Sequence, residues 1–159
     1  MEKTIQLFKD AIAGEVTASA FYSLASEVTR DDETRMVFLS LSSMEDDHAQ
    51  DLVNRFKAAS GVPDFDLQAY LDALIKEDSG VDVETTSTIR NGTPQEVLNL
   101  AISLENAAKE TYKKLADEAI DPDLKQYCMD LAKEEEQHAS ELTKTLDSLN
   151  MDSSDRPGL

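Results

Sequence analysis

Tryptophan is absent from this sequence, and cysteine occurs once, at Cys128. A single cysteine excludes an intrachain disulfide and any Cys-x-x-Cys metal or redox site. Glycine and proline are scarce, 5 and 4 among 159 residues, which favours long uninterrupted elements over a turn-rich β fold. Basic residues are outnumbered: 15 Lys and Arg face 33 Asp and Glu, for a net charge of −18. That balance argues against nucleic acid or an anionic membrane as a partner and suits the attraction of metal cations. No apolar run approaches the ~20 residues that span a bilayer. Met1-Glu2-Lys3-Thr4-Ile5 leads straight into an amphipathic pattern, so no targeting segment is expected. The expectation is a cytoplasmic protein of one domain, since a chain of 159 residues with 40% hydrophobic content can close a single core.

Helical periodicity accounts for most of the chain. Residues 4–28 place Ile5, Phe8, Ile12, Tyr22 and Ala25 on one stripe, with Glu15 interrupting it. Arg30-Asp31-Asp32 is a polar break in which either aspartate can cap the next helix. Residues 33–59 carry Phe38, Leu41, Glu45, His48, Leu52 and Phe56 on the next stripe, and Gly61 with Pro63 ends it. Residues 61–93 read as a long crossover, with a short helix expected over 65–76 and a polar stretch over 77–92. Thr93-Pro94-Gln95-Glu96 has the form of a capping box. It opens a third helix that runs to about residue 119, with Leu98, Ala101, Glu105, Tyr112 and Leu115 facing inward. Asp121-Pro122 opens a fourth, to about residue 149, with Cys128, Leu131, Glu135, His138 and Leu142 on its stripe. Residues 1–149 are thus expected to form one all-α bundle, and 150–159 a disordered tail.

The polar residues on these stripes form a pattern. The only two histidines each follow a glutamate by three residues, as Glu45/His48 and Glu135/His138, which puts both members of a pair on one helix face. A shift of 90 residues superposes the halves: Ala11, Ile12, Glu15, Tyr22, Leu41, Glu45 and His48 fall on Ala101, Ile102, Glu105, Tyr112, Leu131, Glu135 and His138. The economical reading is a repeated helical hairpin. Glu15 and Glu45 are equidistant from residue 30, and Glu105 and Glu135 from residue 120. In an antiparallel hairpin with a short turn, equidistant residues share a level. Two hairpins packed face to face therefore converge four carboxylates and two imidazoles in the core.

Such a cluster is strongly unfavourable without cations, because even one unpaired buried ion costs several kcal/mol. Two divalent ions would neutralise it. Mixed Glu/His ligation suits Fe or Mn better than Mg or Ca, and leaves Zn open. Tyr22 and Tyr112 follow Glu15 and Glu105 by seven residues on the same face, so each phenol is expected to hydrogen-bond a ligand carboxylate. Asp46, Asp47, Glu134 and Glu136 flank the ligands and are expected to face solvent. Cys128 is expected to be a buried apolar side chain.

This constellation resembles the ferritin-like di-iron carboxylate proteins, in which two helices supply one Glu each and two supply Glu-x-x-His. Ala13-Gly14-Glu15 with Phe21-Tyr22, and the hairpin repeat, look most like the four-helix domain of rubrerythrins. The resemblance implies a left-handed four-helix bundle with one long crossover between helices 2 and 3. It also implies two irons bridged by Glu45 and Glu135, with Glu15 and Glu105 terminal and His48 and His138 on one iron each. The activity it implies is reduction of hydrogen peroxide or dioxygen in defence against oxidative stress, in a homodimer; a ferroxidase or iron-storage role is the alternative. Two departures from rubrerythrins stand out. The rubredoxin cysteines are missing, which implies an external electron carrier such as a rubredoxin. Ala108 stands where rubrerythrins have an additional glutamate, which implies a more symmetric centre, as in bacterioferritins.

Overall fold

In the computed structural model, which describes residues 2–59, 69, 72–73 and 81–154, the chain is all-helical, with no strand among the described residues. Four long helices, α1 (Glu2–Val28), α2 (Asp32–Ala59), α4 (Pro94–Glu118) and α5 (Pro122–Ser154), are joined by a short α3 (Val83–Asn91). Local chemistry sets the boundaries. The Asp31 carboxylate caps α2, accepting from the Thr34 amide at 2.8 Å and its hydroxyl at 2.6 Å. The expected capping box is formed at α4: the Glu96 amide donates to Thr93 Oγ1 at 3.2 Å, and the Thr93 amide donates to Glu96 Oε2 at 2.8 Å.

α1 packs along α2, and α4 along α5, as two hairpins. The hairpins meet mainly through α1 against α4, while α2 and α5 approach each other far less. Two apolar layers fill the interior. One holds Phe8, Ile12, Leu52, Phe56, Leu115 and Leu131. The other holds Phe21, Phe38, Leu41, Ile89, Leu98 and Leu142. Burying a side chain of this size stabilises the fold by ~1.5–3 kcal/mol. These layers offset the cost of the polar cluster carried by the same four long helices. Cys128 is buried in the first layer, as expected.

Two expectations need correction. The stretch over 77–92 contains α3, whose Asp82 side chain accepts from the Thr85 amide at 2.8 Å and whose Ile89 is buried in the second layer. The cap and one anchoring residue are enough for a nine-residue helix that shows no apolar stripe. The tail expected to be disordered from residue 150 is instead helical through Ser154. Neither glycine nor proline intervenes before Pro157, so nothing in the sequence forces a stop at Leu149. Residues 155–159, and most of the short helix expected over 65–76, lie outside the described residues. No described helix is long and apolar enough to cross a membrane.

Candidate metal centre

Each long helix contributes to one polar cluster between the apolar layers. α1 supplies Glu15, α2 supplies Glu45 and His48, α4 supplies Glu105, and α5 supplies Glu135 and His138. All six are buried; the glutamates are 0–2% exposed. The structure thus brings together every residue that the repeat singles out. The two imidazole rings face each other at 5.9 Å between centroids.

The donors form two overlapping groups. Glu15, Glu45, His48 and Glu135 offer ligand atoms that all lie within 4.8 Å of one another, and so do Glu45, Glu105, Glu135 and His138. Glu45 and Glu135 belong to both groups. Each imidazole aims Nδ1 at the cluster. His48 Nδ1 lies 3.1 Å from Glu45 Oε2, and His138 Nδ1 lies 3.2 Å from Glu135 Oε2. The Oε1 atoms of Glu45 and Glu135 are buried and accept no hydrogen bond. They are 3.3 and 3.1 Å from an imidazole nitrogen, but those nitrogens direct their protons to Oε2. Unpaired buried carboxylate oxygens on the two shared residues are what a bridging position between two cations would use.

Protonation gives the metal-free cluster the same logic. Burial pushes the Glu15 carboxyl well above its ordinary range, and a hydrogen bond with Glu45 adds to the shift against the opposing effect of His48. Glu105 rises to about 8, again chiefly through burial, with Glu135 adding. For Glu45 and Glu135 burial acts upward too, but the two imidazoles beside each carboxylate outweigh it and hold them below the usual range. Burial alone would depress both histidines. Their carboxylate partners reverse this, raising His48 far above its ordinary value and His138 to about 12. At neutral pH the cluster therefore holds two carboxylates, two carboxylic acids and two imidazoliums, and is neutral. Two divalent cations could replace those four protons without leaving net charge behind.

The surrounding contacts are equally specific. Tyr22 on α1 donates its hydroxyl proton to Glu105 Oε1 on α4, and Tyr112 on α4 donates to Glu15 Oε1 on α1. Each tyrosine thus serves a ligand candidate as expected, but the one on the opposite hairpin. Burial, then the neighbouring carboxylates, push both phenols well above their ordinary range, so they remain donors.

Glu134 was expected to face solvent. Although its side chain is 52% exposed, its Oε2 lies 2.8 Å from His48 Nε2. A ligating imidazole almost always donates its other N–H to a carboxylate, carbonyl or water. That requirement calls for a partner of this kind, and the packing of α5 beside α2 is what selects Glu134 among the flanking acids. Asp46 is likewise engaged, accepting from the Ser19 hydroxyl at 2.7 Å.

Compared with known protein families, residues 5–151 match the family described as the ferritin-like domain. No curated protein and no solved structure matches the chain.

Proposed function

This chain belongs to the ferritin-like family, and on that premise we propose that it is a non-haem di-iron oxidoreductase, rubrerythrin-like in reducing hydrogen peroxide or dioxygen. The observation that carries this reading is the pair of overlapping donor groups sharing Glu45 and Glu135. In this reading Glu45 and Glu135 would be shared by both irons, Glu15 with His48 would complete one donor group, and Glu105 with His138 would complete the other. The donor set fits: four carboxylates against two divalent charges leave a neutral core, and mixed N/O ligation suits iron. When bound, an iron(II) pair supplies the two electrons that peroxide reduction consumes.

The chain's own residues do the positioning. Tyr22 and Tyr112 engage Oε1 of Glu105 and Glu15, which leaves Oε2 of each directed toward an imidazole, at 3.5 Å from His138 Nδ1 and 3.7 Å from His48 Nδ1. Glu134 holds His48 so that Nδ1 faces the carboxylates. The apolar layers on either side of the cluster lower the polarity around it, which strengthens each of these contacts. Reducing equivalents would come from an electron carrier such as a rubredoxin, since the one cysteine of these 159 residues, Cys128, is buried and cannot by itself form a redox site. The functional assembly is a homodimer, testable by mass in solution.

The test is peroxide consumption by iron-loaded protein with a reduced electron carrier, compared with a Glu45→Ala variant. The wild type should be faster by ~10²-fold or more, the scale of losing groups that stabilise charge during reaction. Equal rates would sink the proposal. Many irons per chain in a large shell would instead favour ferroxidase and storage chemistry on the same donors.

A further inference from the structure

A cavity of ≈240 Å³ runs between α1 and α4 down to the cluster. Its floor is formed by Glu15, Glu45, Glu105 and Glu135, and neither histidine lines it. Its walls include Ala11, Ala18, Leu104 and Ala108, with Gly14 and Ala107 at the exposed rim. The space exists because Ala11, Gly14, Ala18, Ala107 and Ala108 carry a methyl group or nothing. A Cβ added at Gly14 would meet no atom within 4 Å.

Size and lining define what fits. Water occupies about 30 Å³ in the liquid, and an apolar protein cavity of about 150 Å³ accepts benzene. Hydrogen peroxide, with only two heavy atoms, would leave most of a ≈240 Å³ space to be filled by disordered water against methyl groups. An apolar arm fills it better. Asp10 on the lining and a net charge of −18 disfavour an anionic substrate.

We propose that this cavity binds the organic arm of a neutral alkyl or aryl hydroperoxide and presents its O–O group to the carboxylate floor. The proposal rests on the peroxidase reading and specifies its substrate class. The O–O bond breaks, two electrons from the iron(II) pair and two protons from solvent are taken up, and an alcohol and a water leave. The iron is then in the iron(III) state, and the external electron carrier returns it to iron(II) in two one-electron steps.

The experiment has a binding arm and a turnover arm. In the first, 2-phenyl-2-propanol, the alcohol product of cumene hydroperoxide, is titrated into zinc-loaded protein and followed by NMR. The wild type should bind it, with shifts centred on α1 and α4 and reaching Glu45 and Glu135 on the floor, and the Ala108→Leu and Gly14→Leu variants should lose binding about tenfold or more, the scale of a methylene-sized misfit in an apolar pocket. In the second, kcat/KM is compared for cumene hydroperoxide and hydrogen peroxide with iron-loaded protein. The wild type should favour cumene hydroperoxide, and the ratio of the two values should fall about tenfold in either filled variant. Absence of alcohol binding, or a ratio unchanged in both variants, overturns the cavity assignment while leaving hydrogen peroxide turnover intact. A wild type inactive toward both peroxides overturns the peroxidase reading itself, and this proposal with it.

Discussion

The two hairpins carry the same four residues in the same register but surround them differently. Shifted by 90 residues, Glu15, Tyr22, Glu45 and His48 coincide with Glu105, Tyr112, Glu135 and His138. Their outer neighbours do not coincide. Glu134 reaches His48 Nε2 at 2.8 Å, whereas the residue that corresponds to Glu134 in the first hairpin is Met44, a thioether with no charge to offer His138. Ser19 donates to Asp46 at 2.7 Å, while the corresponding pair is Lys109 and Glu136, 3.9 Å apart. Residues that converge on the centre keep the symmetry, and residues one layer out break it. The geometry of the candidate donors is therefore common to both halves, while the outer contact of each histidine belongs to one. The two metal positions should be alike in donors and unequal in affinity.

The sharpest way to break this comparison is to remove a shared donor. Glu45→Ala should take the chain from two ions toward none, because Glu45 serves both groups, whereas Glu15→Ala should remove one; elemental analysis after anaerobic loading decides it. Next in size is the exchange of protons for metal. His48, His138, Glu15 and Glu105 are all raised, so each holds a proton near pH 7 that a cation must displace. Affinity should therefore rise with pH and fall with acid, and loading both ions near pH 7 should release close to four protons, measured by titration in unbuffered solution. Release of none would mean that the cluster is not the binding site.

Smaller effects test the asymmetry itself. Glu134→Gln should weaken one ion about 10–100-fold while Met44→Leu changes neither, as read by competition with a chelator. Equal weakening of both ions would show that the outer layer does not distinguish the halves. The tyrosines test the shared part. Tyr22→Phe and Tyr112→Phe each leave a buried carboxyl oxygen without its donor, so each should destabilise metal-free protein by about 1–3 kcal/mol in urea unfolding, by similar amounts.

The centre was legible in the sequence because its chemistry restricts residue type and its helices fix spacing. Glutamate and histidine three residues apart on an otherwise apolar stripe leave few alternatives, and the 90-residue repeat singles out each position by its partner. The capping box at Thr93 and Glu96 was legible for the same reason, as a local rule involving one short stretch. What escaped depends on contacts across the bundle. α3 lacks periodicity because only Ile89 is buried, and that contact exists only once the second apolar layer has formed. Glu134 resembles any exposed acid until α5 is set beside α2. The cavity arises from what Gly14 and Ala108 do not fill, which composition along one helix cannot reveal.

The most direct measurement is anomalous diffraction at the iron edge from crystals of protein loaded with iron(II) without oxygen. The expected result is two iron peaks, both in contact with Glu45 and Glu135, one also near Glu15 and His48 Nδ1 and the other near Glu105 and His138 Nδ1. A single peak, or iron bound elsewhere with Oε1 of Glu45 and Glu135 still unpaired, would contradict the two-metal centre.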